Sequence, residues 1–414
     1  HVTASILHTD QQRGAMIRYL RIASTAAALG AASLATPSRV LAQDPPTGLF
    51  IAGLPAINFD ADEGFGYGAL AEIYQYGEEG LDPYVWSARP TVFLTTGGRR
   101  DFTLFFDAPH VFPTGWRVDA YVGSEKQIAN PYYGLGNDSE YDELRDAEDG
   151  PDPYFYRFGR TRRSATFNLQ RAVSGTPLRA LFGAGLVRTT VDPFPENEGT
   201  TLFAQEQGSA DATAWTNYVR AGLVWDSRDR ETGTTGGTWT EFLVQHIDES
   251  FGADANYARW TFTDRRYFSL SDRLVFAHRY LLQGVSDGAP THELFQVQTS
   301  FSQQEGLGGA KTVRGILKNR FVGRGLLVWN AELRLRAADF SVGSVPFHVV
   351  LSAFLDQGRV WDAGVQLDEV LTDLHRGFGG GVRIGAGQNF VVAIDMGKSQ
   401  EAGMPLYIGL GYLY

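Results

Sequence analysis

The sequence predicts an all-β fold: a sixteen-stranded antiparallel transmembrane β-barrel with one loop folded into its lumen. Three observations predict it. The chain carries a long series of period-two runs of near-uniform length, its long connections all fall on one side by parity, and it has no apolar run long enough to cross a membrane as a helix.

Composition bounds the function classes. Of 414 residues, 48 are Gly and 13% are aromatic, a bias away from ordinary soluble domains and toward strand-rich ones. The formal charge of -11 leaves no basic stripe to displace counterions, so nucleic acid is not expected as a partner. The absence of Cys fits export without a disulfide framework.

The N-terminus gives the address. Met16-Ile17-Arg18-Tyr19-Leu20-Arg21 is a short basic start, Ile22–Ala35 is apolar, and Val40-Leu41-Ala42 offers small residues for cleavage. These are the parts of a secretory signal peptide, expected over 16–42. Residues 1–15 precede a plausible start Met and are expected to be an upstream extension outside the native protein. Residues 43–50 form a short periplasmic lead-in, and 51–414 the barrel. An exported chain that crosses lipid without helices must close its sheet, because only a barrel satisfies every backbone group there.

The expected strands are 51–59, 64–75, 84–95, 100–107, 116–124, 161–171, 178–190, 218–225, 238–247, 256–267, 273–283, 326–337, 346–355, 377–386, 389–397 and 405–414. Alternation is plain in the later runs. Leu327, Trp329, Ala331, Leu333 and Leu335 oppose Asn330, Glu332, Arg334 and Arg336, while Phe390, Val392, Ile394 and Met396 oppose Val391, Ala393 and Asp395. At the end, Leu406, Ile408, Leu410, Tyr412 and Tyr414 are expected on one lipid-facing side, with Gly409 and Gly411 on the other. Trp116, Trp225, Trp239, Tyr267, Tyr412 and Tyr414 stand near strand ends and are expected to form interfacial girdles. The long connections 125–160, 191–217, 284–325 and 356–376 follow strands five, seven, eleven and thirteen, all of one parity. Outer-membrane barrels keep long loops outside and short turns on the periplasmic side.

The connection after strand eleven holds the most informative stretch, Gly306-Leu307-Gly308-Gly309-Ala310-Lys311-Thr312-Val313-Arg314-Gly315. Its glycines let the backbone turn back sharply, and Arg314 carries a permanent charge beside a residue that leaves room around it. By strand parity Asp356 and Glu332 point into the lumen. Arg314 on an infolded loop could reach either one, and a guanidinium suits a carboxylate through two parallel hydrogen bonds.

Four motifs together resemble the BamA/TamA-type superfamily of outer-membrane assembly and translocation barrels, also called the bacterial surface antigen family. They are Val313-Arg314-Gly315, Phe354-Leu355-Asp356-Gln357-Gly358, Trp225-Asp226-Ser227-Arg228-Asp229 with Gly236-Gly237, and Tyr133-Gly134-Leu135-Gly136-Asn137-Asp138. The resemblance covers 51–414. It implies insertion or translocation of proteins, or of lipid, at the outer membrane, with Val313, Arg314 and Gly315 as a lumenal loop tip. It also implies Asp356, then Glu332, as latching carboxylates, and Phe354, Gly358, Asp226 and Arg228 as motif residues. The chain departs from the family in having Ile316 where the tip carries an aromatic, and Tyr414 where the last residue is more often Phe, still expected on the lipid face. Most members also carry periplasmic POTRA modules, and this chain is expected to be a member without them. The expected partners are therefore outer-membrane lipid and a periplasmic delivery partner or an unfolded outer-membrane client.

Other candidates stay beside this reading. Pro55, Gly409 and Gly411 would weaken the seam between first and last strands. The acidic stretch 137–152 lacks the spacing of an EF-hand and reads as a solvated loop, so no metal is expected. No cofactor is expected, and no Gly-x-Ser-x-Gly or HExxH motif suggests an enzyme. A passive pore or structural surface antigen is the rival function.

Overall fold

A computed structural model describes residues 47–60, 64–77, 83–112, 115–146, 152, 154–195, 199–300, 303–343, 345–387, 390–401 and 403–414. The expected signal peptide and upstream extension lie outside them. No helix among these residues is long and apolar enough to cross a membrane.

The strands are β1 (Gly48–Asp60), β2 (Gly64–Tyr76), β3 (Trp86–Thr95), β4 (Arg100–Phe112), β5 (Trp116–Pro131), β6 (Arg157–Ala172), β7 (Leu178–Asp192), β8 (Ala212–Trp215), β9 (Tyr218–Asp226), β10 (Gly237–Ile247), β11 (Tyr257–Ser271), β12 (Leu274–Val285), β13 (Gln296–Gln298), β14 (Gln303–Glu305), β15 (Gly325–Val342), β16 (Val345–Trp361), β17 (His375–Ala386), β18 (Phe390–Lys398) and β19 (Leu406–Leu410). Among the described residues three short α-helices interrupt the connections: α1 (Glu143–Asp146), α2 (Leu202–Gln207) and α3 (Thr291–Leu294). Apart from the β13–β14 hairpin, the strands make one 17-stranded antiparallel sheet. Within it β8 and β9 both pair with β7 and share one barrel position, so sixteen positions result.

Successive barrel strands pair antiparallel from β1–β2 to β18–β19, with β7 joined to β9 and β12 to β15. The closing pair differs. β1 lies against β19, yet no backbone register joins them among the described residues.

Burial follows the two-residue period, with polarity inverted relative to a soluble sheet. On β10, Glu241, Leu243, Gln245 and Ile247 are buried while Phe242 and Val244 are exposed. Outward apolar side chains such as Leu333, Leu335, Leu351 and Met396 meet lipid. Long polar side chains fill the lumen.

Several aromatic expectations are corrected here. Trp225 faces outward and is exposed, but Trp239 and Tyr267 take the inward phase of β10 and β11 and are buried. Trp239 is covered by the guanidinium groups of Arg228 and Arg265. The last strand ends at Leu410, not at Tyr414, because Gly411 adopts φ +77° and turns the chain. Tyr414 is consequently buried against Tyr267 and Ala277 rather than on the lipid face, and its hydroxyl donates to the Ala277 carbonyl at 3.0 Å. Tyr412 follows it inward, and Arg334 lies over both rings.

Candidate functional site

The connection 286–324 joins β12 to β15, and its described residues fold into the lumen. The descent runs through α3 and the β13–β14 hairpin to the turn at 306–315. Gly308 and Gly309 take φ +112° and +83°, and Gly315 takes +96°, conformations that a side chain would strain. Thr312 Oγ1 accepts from the Gly308 N–H at 2.9 Å, and the Gly309 N–H donates to the Ile316 carbonyl at 2.9 Å, so the tip holds its own shape. An apolar cluster anchors it: Leu307, Val313, Ile316 and Phe321 pack with Leu281, Val328 and Val360 of the wall. Ile316 is 1% exposed and supplies part of that packing in the position where the family carries an aromatic.

Arg314 is wholly buried and makes a dense set of charge-assisted contacts. Its Nε and Nη2 donate to Asp356 Oδ2 and Oδ1 at 2.7 and 3.0 Å, and its backbone N–H donates to the same carboxylate at 3.1 Å. Nη1 reaches Glu332 at 3.2 Å and Asp395 at 3.1 Å. The guanidinium carbon lies 3.5 Å from the centroid of the Phe354 ring. Burial alone would push the Arg314 pKa down; the adjacent Asp356, then Glu332 and Asp395, outweigh it and hold the group well above its ordinary value.

Three carboxylates facing one cation would be unbalanced, and two further arginines restore neutrality. Arg334 donates to Glu332 at 3.1 Å. Arg383 pairs with Asp395 through both terminal nitrogens, one at 3.0 Å, and lies 3.4 Å from Glu332. The cluster thus contains Arg314, Arg334 and Arg383 with Asp356, Glu332 and Asp395, spread over the loop, β15, β16, β17 and β18. Desolvating such a set is costly, and its neutrality and multiple bonds offset the cost.

The wall is shaped to accept the tip. A Cβ at Gly377 would meet the Arg314 carbonyl at 1.9 Å, one at Gly397 the Gly315 nitrogen at 2.7 Å, and one at Gly358 the Leu307 side chain at 2.4 Å. The Gly315 N–H donates to the Tyr407 hydroxyl at 3.1 Å, which ties the tip to the last strand.

The descending limb is held by charges of opposite order. Glu293, in α3, pairs with Arg162 of β6 and with Arg259 of β11 at 3.4 Å, and accepts from Thr216 at 3.2 Å. Burial raises its pKa, but Arg162 and Arg259 more than reverse this and hold it far below the carboxylate range. Glu305 in β14 accepts from Arg160 of β6 at 2.9 Å and lies 2.6 Å from Lys318. The loop therefore bridges the lumen: a cation fixed to β15–β18 and anions fixed to β6, with Glu293 also held by β11.

The structure brings Val313, Arg314 and Gly315 together with Asp356, Glu332, Phe354 and Gly358. It leaves others apart. Asp226 and Arg228 form their own bidentate pair at 2.8 and 3.0 Å, in the turn before β10. Pro55 pairs across β1–β2 with Ala69, and Gly409 across β18–β19 with Ala393, while Gly411 lies just past β19. The Tyr133–Asp138 stretch caps the loop from outside, where the Gly136 N–H donates to the Val322 carbonyl at 2.8 Å. In the acidic stretch, Asp146 is taken up by Arg157 at 2.8 Å; Glu148 and Asp149 lie outside the described residues. No group of three metal-ligating side chains lies together among the described residues. Sequence reasoning missed Asp395, Arg383, Tyr407 and Glu293 as partners. Asp395 stands in the inward phase of its run, so its direction was available, but not its contact.

A scan against protein families matches the Omp85 superfamily domain over residues 91–399. No curated protein matches the chain significantly. Among solved structures, BamA from Haemophilus ducreyi lacking POTRA domains 1–3 aligns with a TM-score of 0.54 at 13% identity, covering 88% of this chain and 70% of that one. CdiB from Escherichia coli aligns with a TM-score of 0.55 at 13% identity, covering 90% of this chain and 64% of that one, just under two thirds of its length. These likenesses show a shared fold, and the sheet, its inverted polarity and the family match agree: the chain is an outer-membrane β-barrel that belongs to the Omp85 superfamily.

Proposed function

We propose that the barrel inserts or translocates polypeptide at the outer membrane, without catalysing a covalent reaction. In the resting state the loop tip is latched in the lumen by Arg314 on Asp356 and Glu332, with Asp395 as third partner. Polypeptide then engages the barrel from the periplasmic side and leaves along the seam between β1 and β19. One observation carries the reading: the lumen is occupied by a buried loop, while the only neighbouring strands without a backbone register among the described residues are β1 and β19. An edge with no backbone register among the described residues is the least costly place to part, and Gly409 adds no side-chain packing there.

Two further observations support it. A lumenal cavity of about 770 Å³ remains beside the loop, lined by polar groups and by Phe93, Phe105, Tyr121 and Tyr407. The glycine-bare wall at Gly358, Gly377 and Gly397 lets the tip leave without dragging side chains past it.

The test is deletion of the gene with quantitative profiling of the outer membrane, alongside a pull-down with the tagged chain. The expected result is loss of at least one other outer-membrane or surface protein, and capture of a periplasmic partner or an unfolded client. Unchanged protein levels, with a steady ion-permeable channel in planar bilayers, would assign the chain to passive pores instead.

A further inference from the structure

A second cavity, of about 730 Å³, opens at the short-turn end of the barrel. It lies between the turn 227–236, the β11–β12 turn, the first residues of β16 and the start of β18. Outer-membrane barrels direct this end to the periplasm. Its charged lining comprises Arg230, Arg273, Arg334 and Arg336 against Glu231 and Asp272.

Of the two lining carboxylates, Glu231 is already engaged. Both oxygens of Glu231 are taken by Arg117, at 2.7 and 3.1 Å. The acids that partner the lining arginines face elsewhere: Asp229 lies 3.6 Å from Arg230, Asp339 is 2.6 Å from Arg336, Glu332 is 3.1 Å from Arg334, and none of the three lines the cavity. Arg334 is 4% exposed, and its Nη1 has no hydrogen-bond partner among the described residues. A buried guanidinium nitrogen without a protein partner is left to water or to a ligand oxygen. In a chain whose formal charge is -11, a guanidinium-lined mouth is a local feature that opposes the average.

We propose that this vestibule binds an acidic segment of a polypeptide arriving from the periplasm. The proposal rests on the insertion or translocation reading and names the chemistry of its first contact. Carboxylates on an extended chain suit several guanidinium groups set around a mouth, each able to take two oxygens. The lining favours peptide over lipid: of its apolar members, Val275 stands beside Arg334 and Val350 beside Arg336, so guanidinium groups interrupt the apolar surface.

The experiment uses the purified full chain in detergent and a fluorescein-labelled decapeptide of alternating Glu and Gly, with a Gln-for-Glu counterpart, read by anisotropy. The double variant Arg230→Gln/Arg273→Gln changes two turn residues outside the latch, and heat-modifiable gel mobility checks that it folds. The Glu peptide should bind saturably, and the Gln peptide or the double variant should weaken binding about tenfold or more. Raising salt from about 0.05 to about 0.5 M should abolish it. Equal affinity for both peptides, or no effect of the double substitution, overturns the proposal. So does full displacement by millimolar inorganic phosphate together with arginine-dependent binding of phosphatidylglycerol vesicles, which would assign the site to lipid phosphate. The two readings separate cleanly: selective peptide binding with unchanged protein levels on gene deletion refutes insertion and keeps the vestibule, and the converse refutes the vestibule alone.

Discussion

Arg314 is the residue on which the loop's position depends. Its side chain meets three carboxylates and an aromatic face with no exposed surface, so removing it leaves Asp356, Glu332 and Asp395 with charge that Arg334 and Arg383 cannot balance. Breaking a buried ion pair from one side typically costs about 3–5 kcal/mol. Arg314→Ala is therefore expected to lower thermal stability and to expose 306–315 to added protease. Arg314→Lys should recover little, because an ammonium cannot reproduce the fork on Asp356. Wild-type protease resistance in both variants would refute the latch. The inward direction of Asp356, Glu332 and Asp395 is readable from the period of their runs. Their convergence on one guanidinium is not, because it depends on how far an irregular loop descends, and no local pattern encodes that.

Among the elements, the wall strands matter as much as the loop. Gly358, Gly377 and Gly397 lie on β16, β17 and β18; the tip's backbone comes closest at Gly377 and Gly397, and its Leu307 side chain at Gly358. Gly377→Ala keeps every charge in the cluster yet places a methyl group on the Arg314 carbonyl, so it should expose the loop to protease as Arg314→Ala does. An intact loop in Gly377→Ala would show that the close approach is not needed. The strands themselves were legible almost throughout, since alternation is local and each run carries it. The aromatic side chains were not. Trp239 and Tyr267 stand near strand ends as girdle residues would, but their phase turns them inward, and phase outranks residue type. At Tyr414 the cause is Gly411, whose positive φ ends β19 and turns the tail into the lumen. A glycine in a run of alternation does not announce which sign of φ it takes.

For the molecule as a whole, two features oppose each other: a lumen bridged by ion clusters, and a seam with no backbone register among the described residues. With the seam as the exit, a disulfide tethering β1 to β19 should abolish the effect of the chain on outer-membrane protein levels, and reduction should restore it. Full activity of the tethered barrel would send polypeptide through the lumen instead. The fold and its membrane could be read from sequence because parity sorts the long connections to one side. The bridging of the lumen could not, because Glu293 and Glu305 are joined to β6 and β11 only by the three-dimensional path of the loop. The most direct measurement is the single-channel conductance of the purified chain in planar bilayers, wild type against Arg314→Ala. A latched loop predicts a mostly closed wild type and long-lived, larger openings in the variant; identical conductance in the two would contradict it.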